Sequence, residues 1–224
     1  MAILAALVWG DMRYVVLFVA LSALFDFMDG LSARLLGQYS AIGVQLDSLA
    51  DMVSFGVVPA VSIYVAAGAA PVLCECGVWG EVLRYVPFAI VACSALRLAK
   101  FNIDDTQHVE FCGMPTPANA ILCVWLAALC TMGYVTVARE WLALISVVLA
   151  ALLISPIRMF SFKFSSRGWR GNELRILFLV ASLLIIILMP VYSILLIVVL
   201  YIVLSTLRWA FGLRAGRSNS EEVK

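Results

Sequence analysis

The chain has 224 residues, of which 64% are hydrophobic and 13% charged, with a mean hydropathy of +1.06. A water-soluble domain of this length cannot hide so much apolar surface, so composition excludes a soluble protein and requires a polytopic membrane one. The near balance of 15 Lys and Arg against 14 Asp and Glu, without a basic tract, offers nothing to a nucleic acid.

Met1 to Trp9 is apolar but too short to cross a bilayer, and it lacks the basic start and small-residue cleavage site of a signal peptide. It reads as the tail of a helix whose beginning lies before this chain. Apolar runs of spanning length follow at about 14–36, 41–69, 82–100, 117–137, 140–157, 174–189 and 191–209. All are expected to be helices, because a backbone in lipid must satisfy its own hydrogen bonds. The expected fold is therefore all-α, a helical bundle of about seven to eight transmembrane helices in one membrane-embedded domain, with 174–209 as an accessory pair. Pro190 either separates that pair or kinks it.

Charge orients the bundle independently. Alternate loops and the C-terminal tail carry Arg34, Arg97, Lys100, Arg158, Lys163, Arg167, Arg170, Arg175, Arg208, Arg214, Arg217 and Lys224. The other side has Arg13, Arg84 and Arg139. Twelve cations against three place the first group in the cytoplasm. The basic loop 158–175 is expected to lie against anionic headgroups. Cys93, Cys112, Cys123 and Cys130 sit in apolar surroundings and read as buried, unreactive thiols. Cys74 and Cys76 share a loop, two residues apart, a poor spacing for a bridge.

The informative stretch is DFMDGLSARLLGQYSAIGVQLDSLAD, from Asp26 to Asp51. Asp26, Asp29, Gly30 and Ala33 follow the spacing of one helical face, and Gly43, Asp47 and Asp51 follow that of another. With a turn centred near Gln38 and Tyr39, Asp26 is level with Asp51, and Asp29 nearly level with Asp47. Four acids would converge at cytoplasmic depth. Such a cluster needs protonation or compensating positive charge. All-oxygen ligands suit a hard divalent cation such as Mg²⁺ or Mn²⁺. Gly30 and Gly43 strip the backbone so that a ligand or a neighbouring chain can approach, and Arg34 supplies a fork for phosphate. The bland alternative is a set of interhelical polar contacts between close-packed helices.

The pattern D-x2-D-G-x2-A-R-x8-G-x3-D-x3-D, complete here in Asp26, Asp29, Gly30, Ala33, Arg34, Gly43, Asp47 and Asp51, resembles the signature of the CDP-alcohol phosphotransferases. LDSLADMVSFGVVPA and the later GMPTPANA are similar to the serine-using branch of that family. The resemblance implies that Asp26, Asp29 and Asp47 bind a dinuclear divalent metal centre, with Asp51 as a further ligand and the general base. It implies that Gly30, Arg34 and Ser40 bind the cytidine diphosphate part of CDP-diacylglycerol. It also implies L-serine as acceptor, phosphatidylserine and CMP as products, and a homodimer in the bacterial inner membrane whose site opens to the cytoplasm. Direct displacement is expected, since no Ser, Cys or His stands out as a covalent nucleophile, and His108 reads as a solvated loop residue.

The acceptor side is less legible. Arg97 and Lys100, in SALRLAKFN, would engage the acceptor's carboxylate or the donor's phosphate, or simply anchor a helix end by snorkelling. Thr116 with its flanking prolines fits a re-entrant loop beside the site or a plain helix start. Other acceptors, glycerol 3-phosphate or inositol phosphate, would need a further basic pair, which Arg97 with Lys100 could supply. A cation or proton transporter would need polar groups continuing to the opposite face, and the outer halves of these helices are almost wholly apolar.

Overall fold

The computed structural model describes the chain except residues 38–39, 74–76, 104–112, 158, 160–172 and 222–224, and leaves out the side chains of 34, 41, 103, 173–174 and 212–221. The expectations for Gln38, Tyr39, Cys74, Cys76, His108, Cys112 and almost all of the basic loop 158–175 fall outside the described residues or side chains. Among the described residues every regular element is helical. The chain is an integral membrane protein of bundled helices. Among the described residues four helices are long and apolar enough to cross a bilayer: Met12–Ala33, Ile42–Ala69, Val78–Asn102 and Ser193–Phe211. Thr116–Thr131 and Arg175–Leu188 are shorter apolar helices.

The chain forms two compact units. The first holds Met1–Asp105 and Pro115–Ile154. It opens with α1 (Ala2–Leu4) and a π-helical turn over Ala5–Trp9. Gly10, at φ 65°, reverses the chain into α2 (Met12–Leu36). Asp11 caps α2, and the backbone N–H of Arg13, then its guanidinium, hold the Asp11 carboxyl below its ordinary value. Ala2, Ala5 and Ala6 pack with Met12, Val15 and Val19 of α2 and with Phe55, Val58, Val61, Ala120 and Val124 in one apolar cluster.

The run expected as a single helix over 41–69 is continuous, in three segments: α3 (Ala41–Asp51), a π-helical stretch Met52–Val57, and α4 (Val58–Ala69). Pro59 is the physical reason. It has no N–H for the carbonyl four residues back, and its ring crowds that carbonyl, so the preceding turn widens. Asp51 is the last residue before the widened turn. Around Pro87 the run expected over 82–100 passes through a 3₁₀ turn (Val86–Phe88) into α6 (Ala89–Ile103), and α5 (Val78–Leu83) precedes it in the same spanning stretch. α7 (Thr116–Thr131) stops six residues short of the expected end, where Gly133 takes φ 78°. α8 (Arg139–Ile154) completes this unit. The second unit contains α9 (Glu173–Leu188) and α10 (Ser193–Glu221), separated at Pro190. Cys123 is buried and Cys93 and Cys130 are half-buried, all three as free thiols.

At the end of α4 remote from Asp51, the three cations that depart from the charge bias are each engaged locally. Arg13 pairs with Asp11 at 3.2 Å. Arg84 lies 4.3 Å from the Tyr64 ring centre and donates to the Tyr64 carbonyl at 3.4 Å. Gly68 leaves room for it, since a Cβ there would stand 2.5 Å from an Arg84 nitrogen. Arg139 is buried and donates to the carbonyls of Ala67 (3.0 Å) and Gly80 (3.1 Å) and to the Glu81 carboxylate (2.7 Å). Replacing Arg139 by Ala strands two carbonyls and is expected to cost about 2 kcal/mol of stability, read as a lower unfolding midpoint in detergent. An unchanged midpoint would show that this junction is dispensable.

Candidate metal and substrate site

Gly37, at φ 61°, ends α2, and Ser40 starts α3 by accepting the Gly43 N–H on its hydroxyl at 3.0 Å. A Cβ on Gly43 would stand 2.8 Å from that hydroxyl, so the absent side chain at Gly43 serves the cap of its own helix. At Gly30 a Cβ would meet nothing within 4 Å. Among the described residues, no side chain or neighbouring backbone stands against Gly30.

The hairpin brings one oxygen each of Asp26, Asp47 and Asp51 within 4.8 Å of one another. Asp26 and Asp51 are half-buried and Asp47 is exposed. Asp29 is exposed and lines the same cavity without joining that trio. The cavity has a volume of about 570 Å³, and Phe25, Met28 and Phe55 provide apolar wall. Ser22, Ser32 and Ser54 add hydroxyls. Sequence reasoning passed these serines over, although Ser22 stands one turn before Asp26 and Ser54 three residues after Asp51, on the faces already identified. The Ser32 hydroxyl donates to the Met28 carbonyl at 2.7 Å.

Three carboxylates at this range repel one another strongly in surroundings poorer than water. The donor set is all oxygen and negative, the choice of a hard divalent cation. Oxygens on opposite sides of a Mg²⁺ stand about 4.2 Å apart, and the three oxygens here lie within 4.8 Å of one another, so the residues present suit such an ion after small side-chain adjustment.

Arg97 lies on α6, near enough to Asp51 to act on it electrostatically. Its Nη1 donates to the Thr116 hydroxyl at 3.4 Å. Lys100, one turn further along α6, is exposed. Neither lines the cavity. The Arg34 backbone belongs to α2 and its side chain is outside the described ones. Thr116 opens α7, with Pro115 before it and Pro117 in its first turn.

A model of the CDP-alcohol phosphatidyltransferase family matches residues 1–153, which covers every clustered carboxylate as well as Arg97 and Thr116. Curated relatives named CDP-diacylglycerol–serine O-phosphatidyltransferase are similar over parts of the chain. The Mycobacterium tuberculosis protein is 41% identical over 119 residues, 50% of this chain and 38% of the relative. The Bacillus subtilis protein is 36% identical over 123 residues, 54% and 64% respectively. The Helicobacter pylori protein is 30% identical over 197 residues, 86% of this chain and 78% of the relative. The matched part thus spans well under half of the mycobacterial relative and most of the Helicobacter one.

Proposed function

This chain belongs to the CDP-alcohol phosphatidyltransferase family, and we propose that it transfers the phosphatidyl group of CDP-diacylglycerol to the hydroxyl of L-serine, giving phosphatidylserine and CMP. The observation that carries this reading is the convergence of Asp26, Asp47 and Asp51 in the lining of a cavity large enough for a diphosphate. The names of the relatives support serine as the acceptor.

Asp26, Asp29, Asp47 and Asp51 would hold divalent metal, Mg²⁺ or Mn²⁺, which when bound supplies positive charge to the diphosphate and to the leaving CMP. The chain's own groups do the rest. Gly30 lets the diphosphate approach α2, and Arg34 supplies the charge for it. Ser40 accepts the Gly43 N–H and keeps its hydroxyl proton to donate to a phosphate oxygen. Asp51 accepts the proton of the serine hydroxyl as its oxygen attacks the phosphorus bearing the diacylglycerol. The bond from that phosphorus to CMP breaks and CMP leaves. A carboxylate is a weak base for an alcohol, so positioning carries most of the rate. Arg97 and Lys100 are assigned to the acceptor's carboxylate or the donor's phosphate. Arg97, which acts electrostatically on Asp51 and donates to Thr116, fits a role beside the cavity; Lys100, being exposed, fits recruitment of the anionic headgroup.

The site faces the cytoplasm in this proposal, in the bacterial inner membrane and in a homodimer. The charge bias supports the orientation, and so does the local pairing of the three exceptions, Arg13, Arg84 and Arg139. Serine carrying ¹⁸O in its hydroxyl must pass that oxygen into the lipid product while CMP leaves unlabelled. Labelled CMP, or label lost to water, would contradict attack by serine on the diacylglycerol-bearing phosphorus.

Gly30 offers a separate check. Gly30→Ala fills open space in a helix interior and is expected to raise stability by about 0.5–1 kcal/mol. The same change is expected to raise the KM for CDP-diacylglycerol, because the methyl group stands where the diphosphate approaches. An unchanged KM would remove Gly30 from the donor site.

A further inference from the structure

α3 carries two of the three clustered carboxylates, yet beyond its continuation through Met52–Val57 into α4 its own side chains pack little against the described residues. From Ile42 to Ala50 every residue except Ser48 is exposed, with Ile42 74%, Leu46 60% and Leu49 56% exposed. Apolar side chains that face outward slide over lipid or a partner and do not lock a helix in register. Ser48 turns inward and meets Asn102 on the last turn of α6. Asn102 Nδ2 donates to the Ser48 hydroxyl at 2.9 Å, and that hydroxyl donates in turn to the Val44 carbonyl at 3.1 Å. The Ser48 hydroxyl thus accepts from Asn102 and has two acceptors within reach for its own proton, the Val44 carbonyl and Asn102 Oδ1 at 3.4 Å.

We propose that Asn102 is a positioning residue which, through Ser48, fixes the rotation of α3 and thereby the approach of Asp47 and Asp51 to Asp26. Ser48 directly follows Asp47 and precedes Asp51 by three residues, so any rotation about the axis carries both carboxylates with it. Side chains reach about 5–6 Å from a helix axis, and a turn of roughly 20° therefore moves a carboxylate about 2 Å. That displacement equals a whole Mg–O bond. The clasp also ties α3 to the helix that carries Arg97, so it sets Asp51 against its nearby cation. This inference rests on the reading of the acidic trio as a divalent metal site.

The test is Mn²⁺ binding to the full chain in detergent, followed by electron paramagnetic resonance, with kcat and the metal-free unfolding midpoint measured in parallel. Asn102→Ala and Ser48→Ala are each expected to weaken Mn²⁺ binding about fivefold, the equivalent of one ordinary hydrogen bond. The double variant is expected to bind no more weakly than either single one, and Ser48→Thr, which keeps the hydroxyl, to bind like the parent. Mn²⁺ binding unchanged in both alanine variants would overturn the proposal, even if the unfolding midpoint fell. Losses that multiply in the double variant would overturn it too, because the two residues would then act separately. If the parent chain itself shows no saturable Mn²⁺ binding, or Asp47→Asn binds like the parent, the metal reading fails and the clasp with it.

Discussion

Asp51→Asn is expected to lower kcat by about a thousandfold or more, while binding of CDP-diacylglycerol is largely retained. The substitution is nearly isosteric, so the cavity and its walls are preserved and only the charge and basicity are lost. General base catalysis contributes on the order of 10²–10⁴ in rate, and removal of one negative charge from the trio adds to the loss. Asp51 suits the role by position. It ends α3 immediately before the widened turn, lines the cavity, and has Arg97 nearby. Equilibrium binding of the donor and single-turnover transfer separate the two quantities. A variant that turns over at more than about a tenth of the parental rate would remove Asp51 as the base, since loss of that role costs at least about a hundredfold.

Asp47→Asn is expected to fail differently. Its carboxylate faces the cavity from the exposed side of α3, and its loss is felt first in metal binding. Loss of an outer partner of a metal ligand already weakens affinity about 10–100-fold, so loss of a charged ligand is expected to reach at least the upper figure. Turnover falls with it, and excess Mn²⁺ restores part of the rate. Asp51→Asn, in contrast, is expected to stay inactive at any Mn²⁺ concentration. Metal titration of activity in the two variants makes the distinction. The same response to Mn²⁺ in both would show that the carboxylates do not divide binding and proton transfer between them.

Much of this was legible in the sequence because a bilayer imposes simple rules. Apolar run length gives helices, and spacing of three and four residues puts Asp26 with Asp29, and Asp47 with Asp51, on single faces. The alignment of Asp26 with Asp51 follows from their equal distance from the turn, and the structure brings these two together with Asp47. Asp29 was expected at equal rank and instead lines the cavity outside the trio. A difference of a few ångströms depends on helix rotation, which hydrophobic pattern does not specify for a helix as exposed as α3. The widened turn at Met52–Val57 was hidden because hydropathy does not register a missing backbone donor, although Pro59 marks its cause. Gly43 was read as space for an approaching ligand or chain, and it accommodates the Ser40 cap. The pattern alone does not separate the two, because both accounts strip the same side chain. The Ser48–Asn102 contact joins residues 54 apart in sequence, and no local pattern announces such a pair.

The transport alternative meets a physical obstacle. Among the described residues, the hydroxyls of Ser62 and Ser146 donate to carbonyls of their own helices. Arg139 closes the remote end of α4 with three hydrogen bonds. A relay running from Asp51 along α4 would have to cross Val58, Ala60, Val61, Ile63, Ala66 and Ala67, all buried and apolar.

The most direct measurement is a transfer assay with the purified chain, CDP-diacylglycerol, and Mn²⁺ or Mg²⁺, in which serine, glycerol 3-phosphate and inositol phosphate are supplied one at a time. Phosphatidylserine and CMP formed in equal amounts, with serine alone and only when metal is present, is the predicted result. Transfer to one of the other alcohols in place of serine, or transfer undiminished after the metal is chelated, would contradict it.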